Sequence, residues 1–125
     1  MSRRFWFVLA LLAGCYYHPH RHHPPGLHGP ACADIHAATQ IESTADRLAA
    51  FEKIAGRAEL GSHEQMVLVD AVLLSGFSDD VLVTLIRNPN FYPEARYHLS
   101  VRLEEVPFSP EKKRVVDAMI EYPSK

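Results

Sequence analysis

The side chains able to do chemistry crowd toward the start of this chain. His18, His20, His22, His23, His28 and His36 lie between Tyr16 and Ala37, and only His63 and His98 of the eight histidines lie elsewhere. Neutral imidazole is a good ligand for zinc, nickel and copper. His18, His20, His22 and His23 are close enough in sequence for a flexible backbone to bring them onto one divalent ion. A built zinc site also wants fixed ligands and a supporting hydrogen-bond shell. The prolines around these histidines offer neither, so the segment reads first as a polar spacer and second as a metal-binding tether. The same cluster gains charge as pH falls through about 6.5.

The chain has two cysteines, Cys15 and Cys32, too few for a disulfide scaffold. They form no Cys-x-x-Cys pair, so thiol-exchange chemistry has no support. The carboxylates Asp70, Asp79, Asp80, Glu104 and Glu105 are the remaining candidates for acid or base work. Asp79 and Asp80 follow Ser78 at the start of a helical stretch, where negative charge suits the helix dipole. Glu104 and Glu105 end one. No Ser/His/Asp order, zinc-protease motif, phosphate loop or dinucleotide fingerprint is present. The sequence therefore predicts no catalytic residue and no enzyme.

Positioning these groups begins with residues 1–14. Arg3 and Arg4 precede an apolar run from Phe5 to Gly14. Ten residues of helix rise about 15 Å, half of a bilayer core of about 30 Å. The run reads as the core of an export signal and not as a membrane span. It ends Leu12-Ala13-Gly14-Cys15, which resembles the lipobox of bacterial lipoprotein precursors: an aliphatic residue, two small residues, then cysteine. The resemblance implies cleavage between Gly14 and Cys15 and attachment of diacylglycerol to the Cys15 thiol. In that family an Asp after the cysteine retains the product in the inner membrane. Tyr16 stands there, so the resemblance implies the outer membrane, with the protein facing the periplasm. With Cys15 acylated, Cys32 is left as an odd cysteine, for intermolecular pairing, as a soft ligand beside the histidines, or as an incidental free thiol.

Residues 15–40 hold Pro19, Pro24, Pro25, Pro30, Gly26 and Gly29 and show neither helical nor strand period. They read as a disordered tether with polyproline-II character, about 20 residues reaching roughly 60 Å. A chain of 125 residues with 47% hydrophobic and 22% charged residues then has room for one globular domain, at residues 41–125. Its formal charge of −2 gives no basic stripe for nucleic acid.

The domain reads as all-α, with about five short helices over 44–58, 63–74, 79–87, 93–104 and 110–121. Ser43, Ser62, Ser78 and Ser109 are the caps, Ser62 with Gln65 as a capping box. Pro93 and Pro110 take first helical positions. Gly61, Gly76, Asn88-Pro89-Asn90 and Pro107 are the breakers. Met66 to Ser78 aligns with Tyr97 to Ser109 at an offset of 31, and Val81-Leu82 through Pro89 with Val115-Val116 through Pro123 at an offset of 34. These two imperfect repeats predict stacked helical hairpins, with 44–58 a remnant or cap of a leading unit. Phe77 and Phe108, each before a capping serine, are expected to be buried. The recurring Phe-Ser-x-x-apolar pattern resembles a family of exported bacterial helical domains, and the resemblance implies fold alone. The function expected is a membrane-anchored envelope lipoprotein whose helical domain engages a protein partner. The alternative is a copper-, nickel- or zinc-binding lipoprotein using the tether, with no other cofactor than the lipid.

Overall fold

A computed structural model describes residues 30–123 of the protein. Among the described residues are six α-helices and no strand. They are α1 (Pro30–Thr39), α2 (Thr44–Ala55), α3 (Ser62–Gly76), α4 (Asp79–Arg87), α5 (Pro93–Leu103) and α6 (Pro110–Glu121). Successive pairs, α1 with α2, α3 with α4 and α5 with α6, make three helical hairpins. α1 packs on α3 and α3 on α5, while α2 packs on α4 and α4 on α6. The fold is thus a stack of three hairpins in two layers.

Helix starts follow from local hydrogen bonding. The hydroxyls of Ser43, Ser78 and Ser109 accept from the backbone N–H of Asp46, Val81 and Lys112 at 3.3, 3.4 and 3.1 Å. Each satisfies one of the donors that a helix leaves unpaired at its start. Pro93 and Pro110 open α5 and α6 as expected. α3 departs from the expected box. Its cap is Gly61, whose N–H donates to Glu64 Oε1 at 2.8 Å. Starting one residue earlier puts Glu64, and not Gln65, three positions after the cap, and Gln65 turns into the core.

The largest correction lies at the front. The expected tether over 15–40 gives way to ordered helix at Pro30, and Ala31, Cys32, Ile35 and Ala38 of α1 are buried in the core. α1 has the i, i+3, i+4 spacing of one apolar face, but its residues are mostly small. The surrounding Pro, Gly and His conceal the period. Pro30 itself fits a helix start, where its missing N–H costs nothing. α1 is the first helix of the leading unit, and α2 is its second. The two expected repeats are therefore the second and third of three.

Phe77 and Phe108 also part company. Phe77 packs against the core, whereas Phe108 is 81% exposed. The cause is the residue before each. Gly76 ends α3 at φ 106°, a conformation open to glycine. Its counterpart is Pro107, whose ring fixes φ near about −65°. The chain cannot make the same turn, α5 stops at Leu103, and Val106 packs on the core in place of Phe108. Phe77→Ala is expected to cost about 2–3 kcal/mol as a partly buried aromatic. Phe108→Ala should stay within about 0.5 kcal/mol. Urea denaturation of both variants checks the contrast, and equal losses would contradict it.

Candidate interaction surface

The third hairpin differs from the first two in what it leaves uncovered. α5 rests on α3 and α6 on α4, but α5 and α6 scarcely touch each other. An open groove of about 340 Å³ runs between them, with Leu103, Val116, Met119 and Ile120 supplying its apolar wall. Arg96 bridges one end, donating to the carbonyls of Met119 and of Tyr122, the latter at 2.8 Å. It satisfies carbonyls that the end of α6 would leave unpaired. Near the start of α6, Lys112 Nζ donates to Val106 O at 2.8 Å. Every large hydrophobic side chain exposed among the described residues belongs to this part of the chain: Tyr92, Tyr97, Val101, Phe108, Val116, Ile120 and Tyr122. Scattered apolar exposure is ordinary, but Val116 and Ile120 lining a groove in the last hairpin of a repeat stack mark an unfilled packing surface. Val116 and Ile120 fall at apolar positions of the repeat and yet stand exposed, because none of the six helices lies over them.

A second constellation sits on the seam between α3 and α5. His98 Nε2 lies 2.8 Å from Asp70 Oδ1, and Arg102 Nε is 3.6 Å from the same oxygen. The latter distance is that of an ion pair and too long for a hydrogen bond. Asp70, a candidate carboxylate from the sequence, is half-buried and holds two hairpins together. Among the described contacts, no serine, threonine or cysteine touches His98. Asp79 and Asp80 do more than start α4. Arg114 of α6 donates to them at 2.8 and 2.6 Å, and Asp79 foremost, then Asp80, raises the guanidinium pKa above its ordinary value. Arginine is cationic at any accessible pH, so this is a clasp between α4 and α6 and not a switch.

The loop Asn88-Pro89-Asn90-Phe91-Tyr92 is held from both sides. Asn88 Nδ2 donates to the carbonyls of Ala55 and Arg57 at 2.9 and 2.8 Å. Buried Gln65 donates to Asn90 O at 2.8 Å and accepts from the Tyr92 N–H at 3.0 Å. Phe91 packs on the core. Sequence reasoning took Asn88 and Asn90 as breakers and missed their role as ties. Asparagine side chains adjoining a Pro in a helix-to-helix turn were the available signal.

Gly14, Cys15, His18, His20, His22 and His23 lie outside the described residues. Cys32 is buried on α1 and is disulfide-bonded, which corrects its reading as a free thiol. His63 is half-buried on α3. Among the described residues no group of three or more His, Cys, Asp or Glu could hold a metal ion. No helix there is long and apolar enough to cross a membrane. Neither a family model, nor a curated protein, nor a solved structure matches the chain.

Proposed function

We propose that the protein is a lipid-anchored envelope lipoprotein whose helical-hairpin domain is a non-catalytic protein-interaction module. The observation that carries the interaction role is the apolar face left open at the α5–α6 end of the stack. Helical-hairpin repeats present extended surfaces of this kind to partners. The anchor is supported by Leu12-Ala13-Gly14-Cys15 after its apolar run. Two or more acyl chains hold a protein firmly to a bilayer, at about 0.8 kcal/mol per buried CH₂.

A disulfide at Cys32 is itself in keeping with export, since such bonds persist in oxidising compartments. It also sharpens the test. Cys15 is the chain's only other cysteine, and one sulfur cannot carry both a thioether and a disulfide. Under the lipoprotein reading, Cys15→Ala yields uncut precursor, the wild-type mature chain begins at an acylated Cys15, and the chain then offers no second cysteine of its own for the Cys32 disulfide. Mass spectrometry of the protein from membranes decides this. A mature chain in which an unacylated Cys15 is joined to Cys32 would overturn the anchor. The interaction role is tested separately, with a photoreactive side chain in place of Ile120 in the full-length protein. Covalent adducts are expected in the envelope, and their absence would overturn the module.

A further inference from the structure

We infer that the open α5–α6 face binds the same face of a second copy of this chain, forming a two-fold dimer. The inference rests on the interaction reading above and names its partner. Its ground is the repeat register. Leu82 and Ile86 of α4 are 0% and 3% exposed, beneath the neighbouring hairpins, while their counterparts Val116 and Ile120 in α6 are 37% and 73% exposed. Met66 and Asp70 of α3 correspond to Tyr97 and Val101 of α5. Asp70 meets α5 through His98 and Arg102, whereas Tyr97 and Val101 are exposed. The third hairpin thus keeps apolar side chains where the second uses the equivalent positions to receive another hairpin. It is built to receive one more.

Two observations identify that hairpin as the partner copy's own α5–α6. First, the opposite end of the stack exposes no large hydrophobic residue among those described. A head-to-tail stack would set the apolar face against small and charged side chains. Only pairing of the open end with itself buries apolar surface on both sides, as an isologous interface does. Secondly, the charges complement under the same operation. At the α5–α6 turn, α5 is followed by exposed Glu104 and Glu105, whereas α6 begins with Lys112, which donates to Val106 O, and exposed Lys113, which pairs with Asp117. A two-fold axis along the groove lays α5 of one protomer over α6 of the other, and at the turn end it sets Glu104 and Glu105 against Lys112 and Lys113. Anchorage of both copies to one membrane would raise their effective concentration.

The full-length chain carrying a photoreactive residue in place of Ile120 tests this in the envelope, with the same residue in place of Ala45 on α2 as control. An adduct of twice the chain mass, containing this chain alone, is expected from Ile120 and not from Ala45. An adduct with a different protein would overturn self-association while leaving the interaction module standing. An internal cross-link to residues before Pro30 would assign the face to the chain's own front segment and overturn the dimer. No adduct of any kind would overturn both readings. Charge reversal gives an independent check with co-expressed, differently tagged chains. E104K with E105K, and K112E with K113E, should each weaken self-association about tenfold. Mixing the two variants should restore cross-linking between them, which loss of folding in either would not do. Failure of the mixture to recover, with both variants helical by circular dichroism, would overturn the two-fold arrangement.

Discussion

A chain shortened to residues 40–125 is expected to lose its cooperative fold, while a chain beginning at Pro30 keeps it. The reason is α1. Ile35 and Cys32 are almost wholly buried, and Ala31 and Ala38 nearly so. Deleting the helix exposes the faces of α2 and α3 on which it lies. Truncating one fully buried Ile to Ala already costs about 2–5 kcal/mol. The whole helix carries more than that, against a total stability of about 5–15 kcal/mol for a domain. The Asp34–Arg57 ion pair between α1 and the end of the first hairpin adds little, because both side chains are partly exposed. Urea melts followed by circular dichroism, with the longer fragment kept reduced so that Cys32 plays no covalent part, decide the matter. A cooperative melt of 40–125 within about 1 kcal/mol of 30–125 would show that the second and third hairpins suffice. Ile35→Ala in the longer fragment should lose about 2–5 kcal/mol by itself.

That dependence on α1 shows where the sequence was legible and where it was not. α4 and α6 were readable to the residue, because Ser78-Asp79-Asp80 and Ser109-Pro110-Glu111 combine a cap with charges suited to the helix dipole. The offset between Met66–Ser78 and Tyr97–Ser109 exposed the hairpin repeat, because equivalent packing positions demand equivalent apolar residues. α1 escaped since alanines pack closely without announcing a hydrophobic face, and Pro30 reads as a breaker unless a helix is already suspected. The open end escaped for a different reason. Periodicity reports which side chains could be buried, and burial of Val116 or Ile120 needs a neighbour that the six helices do not supply. The bonds of Gln65, and those from the Asn88 NH₂ group, were invisible because they are made 25 residues or more away along the chain. Local patterns cannot report such contacts.

Asn88 therefore makes the sharpest single-residue prediction. It is 6% exposed, and all of its amide capacity toward the protein is spent on backbone. Its NH₂ group serves the carbonyls of Ala55 and Arg57 at the end of α2, a place where helical carbonyls lack partners of their own. Its Oδ1 accepts from the Asn90 N–H at 2.9 Å and fixes the turn into α5. Asn88→Ala leaves two carbonyls and one N–H to find other partners, and should cost about 2–4 kcal/mol. Asn88→Asp keeps the size and the acceptor but sets a carboxylate against two carbonyl oxygens. At neutral pH it should cost at least as much as the alanine variant. The introduced carboxyl is favoured in its protonated form by burial and by those carbonyls, so its pKa in the folded chain lies above the unfolded value of about 4. The folded state then binds the proton more tightly than the unfolded one. Relative to wild type, the variant is most stable below about pH 4 and loses stability as pH rises toward the folded pKa. Urea midpoints for wild type and variant, taken at matched acid and neutral pH, give the comparison. A gap that fails to narrow on acidification would mean that Asn88 does not hold the Ala55 and Arg57 carbonyls.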